Sequence, residues 1–186
     1  MRVIAGRFRG RTLRAVRGLK VRPSSDRVKE SLFNILAPRI ADIRFLDLFA
    51  GTGSIGIEAL SRGAAEVIFV EQDRDALRCL QRNLEICRLE KGLEVFRQPV
   101  SRTLRELETL GRTFDLIFLD PPYQADLYAS TLDHLGTGKL LIPNGWVIAE
   151  HDRRLELEVG YGRLGRFRTQ RIGDTALSFF RLGAAE

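Results

Sequence analysis

The chain is poor in the residues that build disulfides and metal centres, with two cysteines and two histidines among 186 residues. Cys79 and Cys87 lie eight positions apart in a segment of helical periodicity. At about 1.5 Å of rise per residue they stand roughly 12 Å apart, beyond the ~7 Å between Cα atoms that a disulfide spans. His134 and His151 have no cysteine at ligand spacing, so no metal site is expected. Long apolar runs are also missing: Phe114 to Leu119 is interrupted by Asp115, far short of the ~18 residues of a membrane helix. The opening M-R-V-I-A-G-R-F-R-G lacks the apolar core of a secretory signal, so the cytoplasm is the expected compartment.

What is present is the balance of a globular domain, 44% hydrophobic and 29% charged, at a length that suits one core with a short appendage. The net charge of +6 is unevenly spread. Residues 1–30 hold ten Lys or Arg against Asp26 and Glu30, a net of +8, which leaves −2 for the rest of the chain. Such a concentration, punctuated by Gly6, Gly10 and Gly18, is the footprint of a polyanion partner. A solvated basic tail is the plainer alternative.

Ser24, Ser25 and Asp26 offer N-caps to a helix with Val28, Leu32, Ile35 and Leu36 inward, ending near Pro38. From Phe45 onward, β-rich runs (45–49, 67–71, 93–97, 114–120 and 146–150) alternate with helical ones (54–62, 73–89, 101–110 and 126–135). That rhythm predicts a parallel sheet covered on both faces. Two further runs, 167–172 and 176–182, are joined through Gly173-Asp174 and are too close for a crossover helix, so an antiparallel hairpin is expected at the end. The expectation is an α/β fold with a mostly parallel seven-stranded sheet.

Sheets of this kind bind ligands beyond the carboxyl ends of their strands. The first such loop reads D-L-F-A-G-T-G-S-I-G, where Gly51, Gly53 and Gly56 allow a tight turn and close backbone approach to a ligand. Glu71, 20 residues after Gly51, is placed to accept from ribose hydroxyls. Asp47, four residues before Gly51, disfavours a pyrophosphate and suits a cation such as a sulfonium or an amino group. The fourth strand closes on D-P-P-Y. Pro121 and Pro122 fix the chain so that Asp120 and nearby carbonyls face the pocket, and Tyr123 supplies a flat ring. Acceptors beside an aromatic platform suit a flipped-out base with an exocyclic amine, whose lone pair they localise and aim.

Together, D-L-F-A-G-T-G, the acidic end of the second strand and D-P-P-Y resemble a Rossmann-like class I S-adenosylmethionine-dependent methyltransferase acting on an exocyclic base nitrogen. The opening R-V-I-A-G-R-F-R-G-R-x-L and R-P-S-S-D-R-V-K-E-S-L-F-N-I-L are similar to the RsmD group of bacterial enzymes, which make N2-methylguanine in small-subunit (16S) ribosomal RNA. The resemblance runs from residue 1 to about 182. It implies a basic RNA-binding arm over 1–23 and a methyltransferase domain over 24–186. It implies S-adenosylmethionine held by Asp47, Phe49, Gly51, Gly53, Glu71, Gln72, Val100 and Asp120, with Asp120, Pro121, Pro122 and Tyr123 facing the guanine. Arg7, Arg9, Arg11, Arg22 and Arg27 would meet RNA, within the small subunit or an assembly intermediate, and a monomer is expected. The third strand departs from the pattern. Where such enzymes carry Asp or Asn against the cofactor's adenine, this chain reads R-Q-P-V-S, so the Val100 backbone or the Gln98 side chain takes that contact. D-P-P-Y also serves adenine N6 methylation of DNA or RNA, and a non-catalytic RNA-binding or assembly factor is the alternative from another class. A nicotinamide oxidoreductase leaves D-P-P-Y unexplained.

Overall fold

The computed structural model describes residues 1–16, 24–122 and 125–183. Helix α1 (Ser24–Leu36) buries Val28, Leu32, Phe33 and Leu36 and runs into a 3₁₀ turn at Ala37–Arg39, where Pro38 ends the α-helical ladder. Strands and helices then alternate: β1 (Arg44–Leu48), α2 (Ser54–Ser61), β2 (Glu66–Val70), α3 (Arg74–Cys87), β3 (Leu93–Phe96), α4 (Val100–Thr109), β4 (Phe114–Leu119), α5 (Ala125–Thr137) and β5 (Leu141–Asp152). The chain closes with β6 (Gly160–Tyr161), β7 (Leu164–Ile172) and β8 (Thr175–Leu182). Capping explains several boundaries. The Asp73 carboxylate accepts from the Asp75 and Ala76 amides and starts α3, while Arg88 ends it in a left-handed conformation.

The sheet order is β3-β2-β1-β4-β5-β8-β7-β6, parallel from β3 to β5 and antiparallel beyond. It has eight strands where the sequence pattern predicts seven. The additional one, β6, is a two-residue strand turned back onto β7 through Gly162 at φ 55°, and it is too short to display a period of its own. β5 also begins five residues earlier than its apolar run, because Leu141 pairs with Phe114 across a register irregularity. The reversed hairpin at Gly173-Asp174 forms as the sequence predicts.

Strand side chains alternate between two cores. Phe45, Val67, Phe69, Leu116 and Phe118 pack beneath α1, α2 and α3, whereas Leu46, Leu48, Ile68, Val70, Ile117 and Leu119 meet α4 and α5. Residues 1–16 join the first core through Val3 and Leu13, which are 1% and 3% exposed. Strand order reverses between β1 and β4, so the crevice at their carboxyl ends is the place where such a sheet accommodates a ligand. No helix is long and apolar enough to cross a membrane among the described residues.

Candidate active site

Asp47 and Phe118 are partners in the β1–β4 pairing, as are Leu48 and Leu119, so the loops opening at Phe49 and Asp120 leave the sheet side by side. Phe49 itself adopts φ 60°, a left-handed conformation that a bulky residue rarely takes, and strain of this kind concentrates at ligand sites. Gly51 (φ 56°) and Gly53 (φ 76°) continue the turn. The two glycines serve different ends. A Cβ on Gly53 would stand 2.2 Å from Leu80 Cδ1, so that glycine permits packing, whereas around Gly51 a Cβ would meet nothing nearer than the Phe49 carbonyl at 4.0 Å. Gly51 therefore lines open space, as a ligand-facing turn requires. Gly56 lets α2 approach β2, since a Cβ there would sit 2.3 Å from the Phe69 ring.

Three carboxylates converge on this crevice. Asp47 is buried and accepts from the Gly56 amide at 2.9 Å. Burial pushes its carboxyl from 3.8 up to about 8; the Gly56 bond opposes the shift, and the negative charges of Asp120 and Glu71 add to it. Glu71 ties the two loops together: Oε2 accepts from the Gly51 amide at 2.8 Å, and Oε1 from the Gln72 and Asp73 amides at 2.7 and 2.8 Å. The three amide bonds hold the carboxylate in place and leave about one of its roughly four acceptor positions for a hydroxyl. Asp120 is exposed at the end of β4, followed by buried Pro121 and exposed Pro122. A carboxyl whose proton affinity is raised by burial and by two neighbouring carboxylates is a ready partner for a cation, which fits a sulfonium cofactor carrying an amino acid head.

At the end of β3, α4 begins at Val100 with Pro99 in the N-cap position, its carbonyl accepting from the Arg102 and Thr103 amides. Gln98 turns away and donates to Glu106 at 2.7 Å. The Val100 backbone stands at the start of that helix. Tyr123 and Arg22 lie outside the described residues.

The basic N-terminal segment is bonded to the elements that carry the glycine turn. The Ile4 and Ala5 amides donate to Glu58 at 2.8 and 3.0 Å, Phe8 N–H to Ser61 Oγ, and Arg7 N–H to the Ser61 carbonyl. Asn83 of α3 takes both polar groups of Arg14, accepting from its N–H at 2.7 Å and donating to its carbonyl at 3.1 Å, and also donates to the carbonyl of Thr52 in the glycine turn. Lys29 of α1, fully buried, donates to the Arg2 carbonyl and to Ser54 Oγ and stands 3.7 Å from Glu58. These three residues escape a reading by composition and charge. Lys29 and Asn83 nonetheless occupy apolar stripe positions, Asn83 between Leu80 and Cys87 for example, and a polar residue on such a stripe is the signal that marks them, whereas Glu58 has mostly polar helical neighbours.

The arginines of the segment do not line one side of an extended strand. Residues 5–10 bend back so that Arg2 pairs with Thr12. Arg7 and Arg11 flank the Phe8 ring at 5.4 and 5.2 Å and donate to the Leu60 and Ile86 carbonyls, while Arg9 is exposed at the bend. Arg27 lies apart, on the outer side of α1 facing β7. Neither histidine joins the crevice. His151 is buried with one ring nitrogen on the Asp152 carbonyl and the other on Ser178, and burial lowers its pKa. Among the described residues no group of three or more His, Cys, Asp or Glu could hold a metal.

The reversed strand order, the glycine turn and the acidic strand ends define a class I, Rossmann-like S-adenosylmethionine-dependent methyltransferase. Within that class the chain belongs to the family described as Conserved hypothetical protein 95, whose model matches residues 1–181. It is 39% identical to the Ribosomal RNA small subunit methyltransferase D of Haemophilus influenzae, over 82% of this chain and 79% of that one. It is 38% identical to the protein of the same name from Escherichia coli, over 87% and 77% of the two chains. Among solved structures, a hypothetical protein of Thermus thermophilus superposes with a TM-score of 0.83 at 33% identity, covering 98% of this chain and 99% of that one.

Proposed function

We propose that this methyltransferase modifies the exocyclic N2 of one guanine in small-subunit ribosomal RNA, as a cytoplasmic monomer acting on the subunit or an assembly intermediate. The observation that carries the reading is Asp120, held at the switch point beside Asp47 and Glu71 and followed by two prolines, in a chain 39% and 38% identical to two proteins named Ribosomal RNA small subunit methyltransferase D. S-adenosylmethionine supplies an electrophilic methyl group on a sulfonium. Asp47, the Gly51 turn and Val100 form its bed, and Glu71 holds its ribose while fixing the turn. Asp120 and a neighbouring proline carbonyl accept hydrogens from the guanine amine, which localises its lone pair and aims it. The Asp120 carboxylate also accepts from guanine N1–H, a contact that adenine does not offer.

The test is mass spectrometry of nucleosides from ribosomal RNA of a strain lacking the gene, before and after the purified enzyme is added back. One N2-methylguanine in 16S RNA should disappear and be restored. Restoration of N6-methyladenine instead, or no change in any ribosomal nucleoside, overturns the assignment.

A further inference from the structure

Beyond the crevice, the far half of the sheet carries basic and aromatic groups that the reaction does not use. A groove of about 560 Å³ runs between α1 and β7, lined by Arg27, Ser31 and Asn34 on the helix and by Arg168 and Gln170 on the strand, with Glu30 at its wall. Pairing fixes its place. Leu119 is in register with Ala149, Ala149 with Ser178, and Ser178 with Thr169. The next row toward the carboxyl edge therefore runs Asp120, Glu150, Leu177, Gln170. Three strand spacings separate its ends, roughly 14 Å, so the groove opens on the same edge as the crevice.

Away from that edge the groove meets an aromatic cluster. Trp146 and Phe167 have ring centroids 5.1 Å apart, and Phe179 lies 6.1 and 6.3 Å from them. Phe167, 37% exposed, is on this face because β7 shifts register between Arg166 and Arg168. Strict alternation would send Phe167 and Arg168 to opposite faces; the irregularity presents both on the side of α1. Cations stack on the rings: Arg39 over Trp146 at 4.3 Å, Arg168 over Phe179 at 5.7 Å and Arg181 over Phe167 at 5.2 Å. Arg27 joins these three arginines on this face, with the carboxylate of Glu30 at the groove wall. Flat rings interleaved with guanidinium groups are the surface that single-stranded nucleic acid uses, bases stacking while phosphates meet cations.

We infer that the RNA strand flanking the target guanine leaves the Asp120 edge through the α1–β7 groove and lies on the Trp146–Phe167 platform. The inference rests on the ribosomal RNA reading and adds the path of the strand. Trp146 is the only tryptophan of the chain, so it reports contact directly. Titrating the full-length protein with a guanine-containing single-stranded fragment of 16S RNA should change its fluorescence, and S-adenosylmethionine alone should not. In filter binding, Phe167→Ala with Arg168→Ala should raise the RNA Kd roughly 5- to 150-fold, the range for one lost stacked base. It should also reduce the salt slope by about 0.7 per lost phosphate contact and leave cofactor affinity unchanged. Phe167→Tyr, which keeps a ring, should retain the affinity. RNA binding with silent Trp146 fluorescence and an unchanged Kd in the folded double variant overturns the path. In that case methyl transfer to ribosomal RNA by the wild type shows that the reaction assignment stands. Absence of both RNA binding and transfer in the wild type removes both.

Discussion

Asp47 makes the crevice sensitive to pH. The folded chain keeps a proton on it up to about pH 8, while an ordinary carboxyl loses its own near 3.8. Between those values the native state binds more protons than the unfolded one, so this group makes the fold less stable as pH rises across that window. Asp47→Asn should flatten that slope, seen as urea midpoints that change less between pH 5 and pH 8 than those of the wild type. A bound sulfonium favours the carboxylate, so cofactor binding at pH 7 should release protons, measurable by calorimetry in two buffers of different ionisation enthalpy. Asp120→Ala should lower the rate of methyl transfer far more than cofactor affinity, because the lost acceptor acts on the target amine; a variant with near-normal turnover on RNA refutes its role. Glu71→Ala should weaken cofactor binding by roughly 1.5–3 kcal/mol, the worth of a charge-assisted bond, and calorimetry showing unchanged affinity removes Glu71 from the site.

At the scale of elements, the N-terminal segment is held by α2 and α3 more than by its own turns. Glu58 is fully buried and accepts from Ile4, Ala5 and Arg62 while facing Lys29. Glu58→Ala leaves the Lys29 ammonium buried without its main counter-charge, Asp26 being the lesser one, a change that costs about 3–5 kcal/mol. Thermal unfolding should show that loss, and hydrogen exchange should rise first at the amides of residues 4 to 8. Gly6→Ala acts from the other side of the same contact. Its φ is +81°, and a Cβ there would lie 1.8 Å from the Ser61 carbonyl oxygen, so the segment must lift. These elements differ in how plainly the sequence declares them. β1, β2 and β4 are apolar runs bounded by turn residues, so the parallel core is readable from pattern alone. β6 has too few residues to show a period. The docking of residues 1–16 hides behind their charge, since the side chains announce a polyanion while the bonds are made by backbone amides.

For the whole molecule, exposed arginines stand on two surfaces where the sequence suggests one. The N-terminal bend presents Arg9, and the β7 face presents Arg168 and Arg181. Neutralising Arg7, Arg9 and Arg11 together should weaken RNA binding at low salt and reduce the salt slope by up to about 0.7–0.9 per lost phosphate contact, with cofactor affinity unchanged. A folded triple variant with the wild-type slope would assign the RNA footprint to the β7 face alone. The acidic and glycine positions of the crevice are legible because each stands at a strand end, where residue type and place coincide. The platform on β7 is not, because a register shift decides which way Phe167 points.

The long sequence separation of the N-terminal contacts has a consequence during synthesis. Ile4 finds its partner 54 residues later, and Arg14 waits 69 residues for Asn83. At about 5–20 residues per second, the segment remains without those partners for several seconds after it is made. Its apolar side chains Val3 and Leu13 have no core to enter until α1, α2 and α3 have been added. The segment at the front of the chain is therefore among the later pieces to settle, and because Asn83 then bonds Thr52, its docking also completes the support of the glycine turn. A nascent chain stopped before α3 would carry every residue of that turn and still lack the amide that holds it.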